Sequence, residues 1–129
     1  MKKRRVLISG HSLSFDEELY GALQKIATVL KISDNHWIES LLAYNPVDLV
    51  IIEISEENSA ELELIKRIKD QFPNTVIILI DGSENREVIA RAFSYGVKDA
   101  FRKPYNRDLI VERVKTLLNQ SARVKNISY

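Results

Sequence analysis

Residues 47–55 read VDLVIIEIS, and this stretch decides the fold. Leu49, Val50, Ile51 and Ile52 follow one another without a polar interruption, so both faces of the segment avoid water. A short run of that kind is a strand covered on each side, as in a parallel sheet. The first charged residue after the run, Glu53, falls at the strand's carboxyl end. In open α/β sheets function collects at that edge. The expectation is that Glu53 stands at the centre of a site.

Upstream, Arg5 to Ser9 (RVLIS) makes a first buried strand that turns at Gly10. Ser14-Phe15-Asp16-Glu17 has the S-x-x-E form of a capping box and predicts a helix start, with Phe15, Leu19, Leu23 and Ile26 along one apolar face. Thr28 to Ile32 is a second, weaker strand. Either Asp34 or Asn35 caps the next helix, whose buried side is Trp37, Ile38, Leu41 and Leu42. Asn45-Pro46 ends it, because the residue before proline is pushed out of the helical region.

Downstream, Asn58 or Ser59 caps a third helix with Leu64, Ile65, Ile68 and Phe72 inward, closed by Pro73-Asn74. Thr75 to Ile80 is another continuous apolar strand, and it too ends in a carboxylate, Asp81. Gly82-Ser83 turns into a fourth helix with Ile89, Ala92 and Phe93 inward, and Gly96 suits a left-handed C-cap. Asp99 to Arg102 is a short fifth strand running into Lys103-Pro104. A last helix carries Ile110, Val114, Leu117 and Leu118 on one face. Five strands alternating with five helices predict a doubly wound five-stranded parallel sheet with helices on both faces. Residues 1–120 make one domain, and 121–129 lack a strong pattern, reading as a frayed helix, a tail or the start of a linker.

Bulk properties narrow the function. A chain of 129 residues with 45% hydrophobic and 29% charged content suits one soluble globular domain. Lys2, Lys3, Arg4 and Arg5 supply four of the positive charges behind a net of +1, so the remainder is net negative and offers no footprint for nucleic acid. Without cysteine there is no thiolate chemistry. No apolar run approaches the roughly 18 residues of a membrane span, and no signal peptide is recognisable; a cytoplasmic location is the expectation. One glycine after the first strand is too few for a dinucleotide-binding turn. His11 and His36 lack companions at metal-ligand spacing, so no metal and no cofactor are expected.

Laid side by side, the strand ends carry Ser9, Gly10 and His11 after the first, Glu53 after the third, Asp81 after the fourth and Lys103 after the fifth. With DLVIIE, and with Gly96, Lys103-Pro104 and Asp108-Leu109 in a G-x(6)-K-P-x(3)-[DE]-L ending, the chain resembles the receiver domains of bacterial two-component response regulators from residue 4 to about 119. The resemblance implies a flavodoxin-like, CheY-like three-layer sandwich. It also implies a phosphoacceptor aspartate where Glu53 stands and a Mg²⁺-holding acidic pair where Gly10 and His11 stand. Three switch positions follow in the same way: a hydroxyl residue at Asp81, an aromatic residue at Ala100 and the conserved-type lysine at Lys103. Of these only Lys103 keeps the expected residue.

Carboxylates hold Mg²⁺ and glycine offers no ligand, while phosphoryl transfer depends on neutralising charge. The extra methylene of Glu53 also displaces its carboxylate by about an ångström. The expectation is therefore a signalling pseudo-receiver, not an enzyme, with Glu53 paired to Lys103 as a fixed imitation of the activated state, and with Asp81 and His11 joining the cluster. The bland alternative is that Glu53 and Asp81 are solvated strand ends; the other functional reading is an atypical phosphoacceptor using Glu53. Partners are expected to be proteins: a second copy through the fourth helix, fifth strand and fifth helix, where Arg86, Arg91, Lys98, Arg102, Arg107 and Arg113 meet Glu87, Asp99 and Glu112, or an effector domain in a longer parent chain.

Overall fold

A computed structural model describes residues 4–54 and 59–127, with the backbone alone at residue 59 and from 121 onward. The strands β1 (Arg5–Ser9), β2 (Thr28–Ile32), β3 (Leu49–Ile54), β4 (Val76–Asp81) and β5 (Asp99–Arg102) alternate with α1 (Glu17–Gln24), α2 (Ile38–Tyr44), α3 (Ser59–Gln71), α4 (Arg86–Ser94) and α5 (Arg107–Ile127). All pairings are parallel, in the order β2-β1-β3-β4-β5. The doubly wound sheet is as the alternation of elements predicts.

Inside each unbroken apolar run the period of two survives, because successive strand side chains point to opposite faces. Val50, Ile52 and Ile54 of β3 pack with Ile38, Ile65 and Ala92 of α2, α3 and α4. Leu49 and Ile51 pack with Leu19 and Leu23 of α1 and with Ile110 and Val114 of α5. In β4, Ile77 and Leu79 join the first layer, while Ile78 and Ile80 join the second. The strand ends inherit this parity. Glu53 continues the Leu49–Ile51 side, and Asp81, which is in register with Ile54, continues the Ile77–Leu79 side. Two carboxylates that look adjacent in sequence logic therefore leave opposite faces of the sheet.

Several helix starts differ from expectation. Helix α1 begins at Glu17, not at Ser14, and its cap is Asp16, which accepts from the Leu19 N–H. Residues Leu13–Phe15 form a 3₁₀ turn, and Ser14 donates to the His11 carbonyl. Phe15 is thereby carried off the helical face and stands 69% exposed. Trp37, expected in the core, closes a second 3₁₀ turn (Asn35–Trp37) and is 58% exposed. A 3₁₀ turn has three residues per turn rather than 3.6, so it breaks the phase from which burial was read. Phe93 is 44% exposed, and Val88 and Ala92 carry the inward face of α4. The expected cap at Asn58 lies outside the described residues, and of Ser59 only the backbone is described. Helix α5 continues to Ile127, past the point where its apolar pattern fades.

Gly96 performs the predicted cap. It has φ +108, its N–H bonds the Phe93 carbonyl and the Val97 N–H bonds that of Ala92, the paired bonds of a Schellman motif. That turn sets β5 alongside β4, and so delivers Lys103 to the carboxyl edge.

Candidate functional site

Glu53 is 4% exposed, and its carboxylate is fully engaged. Oε1 accepts the backbone N–H groups of Ser12 and Leu13, each at 3.0 Å. Oε2 accepts the Ser12 hydroxyl and pairs with the Lys103 ammonium. Lys103 Nζ also donates to Ser12 Oγ at 3.0 Å. Two carboxylate oxygens offer about four lone-pair sites, and four donors fill them. Burial alone would raise the Glu53 carboxyl, but Lys103, the Ser12 hydroxyl and the Leu13 N–H outweigh it and hold the group below its ordinary value. The solvated-strand-end alternative for Glu53 is therefore corrected: the group is buried and bonded.

Gly10 makes this arrangement sterically feasible. It has φ +146, a region that L side chains rarely adopt, and an added Cβ would lie 2.4 Å from both Cβ and Oε1 of Glu53. The glutamate side chain occupies the room that a side chain at position 10 would need. A larger residue at position 10 and this rotamer of Glu53 exclude each other.

A second clamp closes the same two loops. Asp16 accepts from Tyr105 Oη and from Arg107 Nε at 2.9 Å, besides capping α1. Burial would raise the Asp16 carboxyl, but Tyr105, the Leu19 N–H and Arg107 hold it low. Burial and Asp16 together push the Tyr105 hydroxyl well above its usual range. Beneath the site, Asn35 accepts from Ser9 Oγ at 2.6 Å and donates to the Glu53 carbonyl and to Glu61 Oε2, both at 2.9 Å, tying β1, β3 and α3 together. Sequence reasoning weighed Asn35 only as a helix cap and did not single out Ser12, Asp16 or Tyr105. Nothing in their local spacing signals contacts made across some 20 to 90 residues of chain. Beside Glu53 and Lys103 opens a polar cleft of about 760 Å³ that His11, Asn35, His36, Glu61 and Arg67 also line.

This geometry sits on a fold whose relatives are known. Residues 17–115 match the model of the response regulator receiver domain. The chain belongs to that family. It is 29% identical over 79 residues to the transcriptional regulatory protein CrdR of Helicobacter pylori, covering 60% of this chain and 37% of that protein. It is 30% identical over 103 residues to the fimbriae Z protein of Salmonella typhimurium, covering 80% and 49%. The chain thus spans less than half the length of either relative. In structure it is similar to the signal receiver domain of an HD domain-containing protein from Pseudomonas fluorescens Pf-5, with TM-score 0.84, 22% identity and coverage of 99% and 96%.

Within this receiver domain the Mg²⁺ that the family implies does not fit the residues present. Gly10 supplies no ligand, both oxygens of Glu53 are occupied, and His11 is exposed with its ring edge-on to Phe15 at 5.9 Å. No group of three or more His, Asp or Glu among the described residues is placed to hold a metal ion. No helix among them is long and apolar enough to cross a membrane.

Asp81 does not join Glu53 and Lys103, as was expected, and it is not a solvated strand end either: it is 2% exposed. Its Oδ1 accepts the N–H and hydroxyl of Ser83, and its Oδ2 is buried without a partner among the described residues. His11 also stays apart from the cluster. Ala100 lines a groove of about 320 Å³ between α4 and β5, with Ile89, Phe93 and Phe101. Of the arginines proposed for a contact face, Arg107 is turned onto Asp16 and Glu18, and Arg113 pairs with Asp99 of its own chain at 2.9 Å. Arg91 lies 3.9 Å from Glu63 and donates to Tyr95 Oη. Arg86, Lys98 and Arg102 have exposed side chains and no ion pair among the described residues.

Proposed function

We infer that this receiver domain is a pseudo-receiver, a signalling module that acts through protein contacts and without phosphorylation. The observation that supports it is the filled carboxylate of Glu53 lying over Gly10. An acceptor must present a free lone pair in line with the incoming phosphorus. Here each lone pair already holds a hydrogen, and the ammonium that would steady a phosphoryl group steadies Glu53 instead. The Glu53–Lys103 pair is thus a built-in counterpart of the activated contact, set at synthesis and not by a kinase. Output then depends on which protein meets the face made by α4, β5 and α5, in a second copy or in an effector region of a longer chain.

The test is incubation with acetyl phosphate and Mg²⁺ followed by intact mass. The expected result is an unchanged mass. A gain of about 80 Da, one phosphoryl group, that is lost on Glu53→Gln would overturn this reading in favour of an atypical phosphoacceptor.

A further inference from the structure

Helix α2 differs from the other four in what it shows to water. Its sequence, IESLLAY, has a single charged residue, Glu39, and that carboxylate is turned onto α3, where Arg67 and Gln71 donate to it. The helix buries Ile38 and Leu42. Its outer side carries Trp37, the residue that caps it, and Tyr44, which is 87% exposed, with Leu41 part-buried between them. Steps of four and three residues separate these positions, so the three side chains form one row along the helix. Ser40 and Ala43, the exposed neighbours of the row, are uncharged.

Single apolar side chains on a surface are ordinary, but a contiguous uncharged row with Trp and Tyr at its ends has the make-up of a contact. The row is close to symmetric about Leu41. A second α2 laid antiparallel across a two-fold axis at Leu41 sets Trp37 against the partner's Tyr44, and Tyr44 against the partner's Trp37. A charged face would meet its own sign near such an axis, whereas this one is neutral and matches itself. The two helix dipoles also run in opposite directions. Aromatic side chains bury about 150–250 Å² each, so two such rows cover on the order of 1,000 Å² in total, the low end for a specific contact. That area suits a weak, reversible pair.

We propose that the outer face of α2 joins two copies of this chain, antiparallel about a two-fold axis at Leu41. Helix α2 follows the edge strand β2, whereas α4 and α5 flank β5 at the opposite edge of the sheet. A pair joined through α2 therefore leaves the α4–β5–α5 side of each copy open. The inference goes beyond the pseudo-receiver reading and holds whatever the state of Glu53.

The experiment is sedimentation velocity of the full chain from about 10 µM to about 1 mM, with Trp37 emission read on the same samples. The mass is expected to rise from 14.8 kDa toward twice that value, and the emission to move to the blue as the indole is covered. Trp37→Lys and Tyr44→Glu each weaken self-association by about tenfold or more, as loss of an aromatic anchor does. Mixed in equal amounts, the two variants pair more tightly than either does alone. The antiparallel arrangement brings the new ammonium to the new carboxylate and keeps one native aromatic pair. Both positions are exposed, and thermal unfolding checks that each variant keeps the fold. Should either fail to fold, Ser40→Arg sets two guanidinium groups near the axis and is expected to weaken the pair likewise. A chain that stays at the monomer mass up to about 1 mM overturns the second copy as occupant. A mass rise that survives these variants, or that is lost on Phe93→Lys instead, overturns the face. A mixture no tighter than its components overturns the antiparallel arrangement. A phosphoryl adduct on Glu53 would sink the phosphorylation-independent reading and leave these masses as they are.

Discussion

Glu53 and Asp81 are the same kind of residue in the same kind of place, and the molecule treats them differently. Each ends an apolar central strand, and each is almost wholly buried. Glu53 meets four donors, supplied by the loop after β1 and by Lys103. Asp81 meets Ser83 on one oxygen and nothing described on the other. A single step of register separates them: Glu53 lies opposite Ile80, and Asp81 lies opposite Ile54. Because strand side chains alternate, that step puts the two carboxylates on different layers of the sandwich. Burial is not what distinguishes a set point from a loose end; donors within reach are.

The contrast is broken most severely at Gly10. Gly10→Ala forces a Cβ to within 2.4 Å of two Glu53 atoms at φ +146. Urea unfolding is expected to report a loss of about 3–5 kcal/mol, combining overpacking and backbone strain. Glu53→Gly in the same chain should recover part of it, because it removes both atoms of the clash but not the strain. Recovery of the whole loss would mean that the backbone is unstrained.

Lys103→Met comes next. It leaves a buried carboxylate with neutral donors only, and the expected cost is about 2 kcal/mol, below the range for a fully buried pair because Lys103 is part-exposed. Its pH dependence carries the signature. A carboxyl held low in the folded state contributes stability that is present above the unfolded value near 4.5 and is lost as pH falls through the folded value. Acid unfolding curves should therefore converge for the two proteins as pH drops well below 4.5, with the gap fully open at pH 7. A gap that persists unchanged into acid would show that the lysine acts by packing alone.

Asp81→Asn is expected to be smallest, within about 0.5 kcal/mol in thermal unfolding, since the carboxylate makes only local bonds to Ser83 and leaves one oxygen unbonded. A cost like that of Lys103→Met would erase the difference between the two strand ends.

Much of this was legible in the residues. Unbroken apolar runs announced covered strands, 3.6-residue spacing placed α3 and α5, and Gly96 with Lys103-Pro104 marked how the last strand is delivered. The pairing of Glu53 with Lys103 was expected from the resemblance to receiver domains, and the two side chains do meet. What stayed hidden depends on phase and on distance. Two three-residue 3₁₀ turns shifted Phe15 and Trp37 out of the faces that α-helical spacing assigned them. The capping box at Ser14 lost to Asp16, whose carboxylate has Tyr105 and Arg107 as further partners from the far end of the chain. Gly10 read as a missing ligand, whereas its role is spatial, and no pattern in one dimension shows which side chain fills a vacancy.

The displaced Trp37 has a practical use. It is the chain's single tryptophan, it closes the turn that His36 and Asp34 share, and the ring of His36, which lines the cleft beside Glu53, stands edge-on to the indole at 5.5 Å. An indole already in water changes its emission little when the core melts. Intrinsic fluorescence of this protein is thus a poor thermometer of unfolding and, through the His36 ring, a built-in optical reporter of what binds against that histidine.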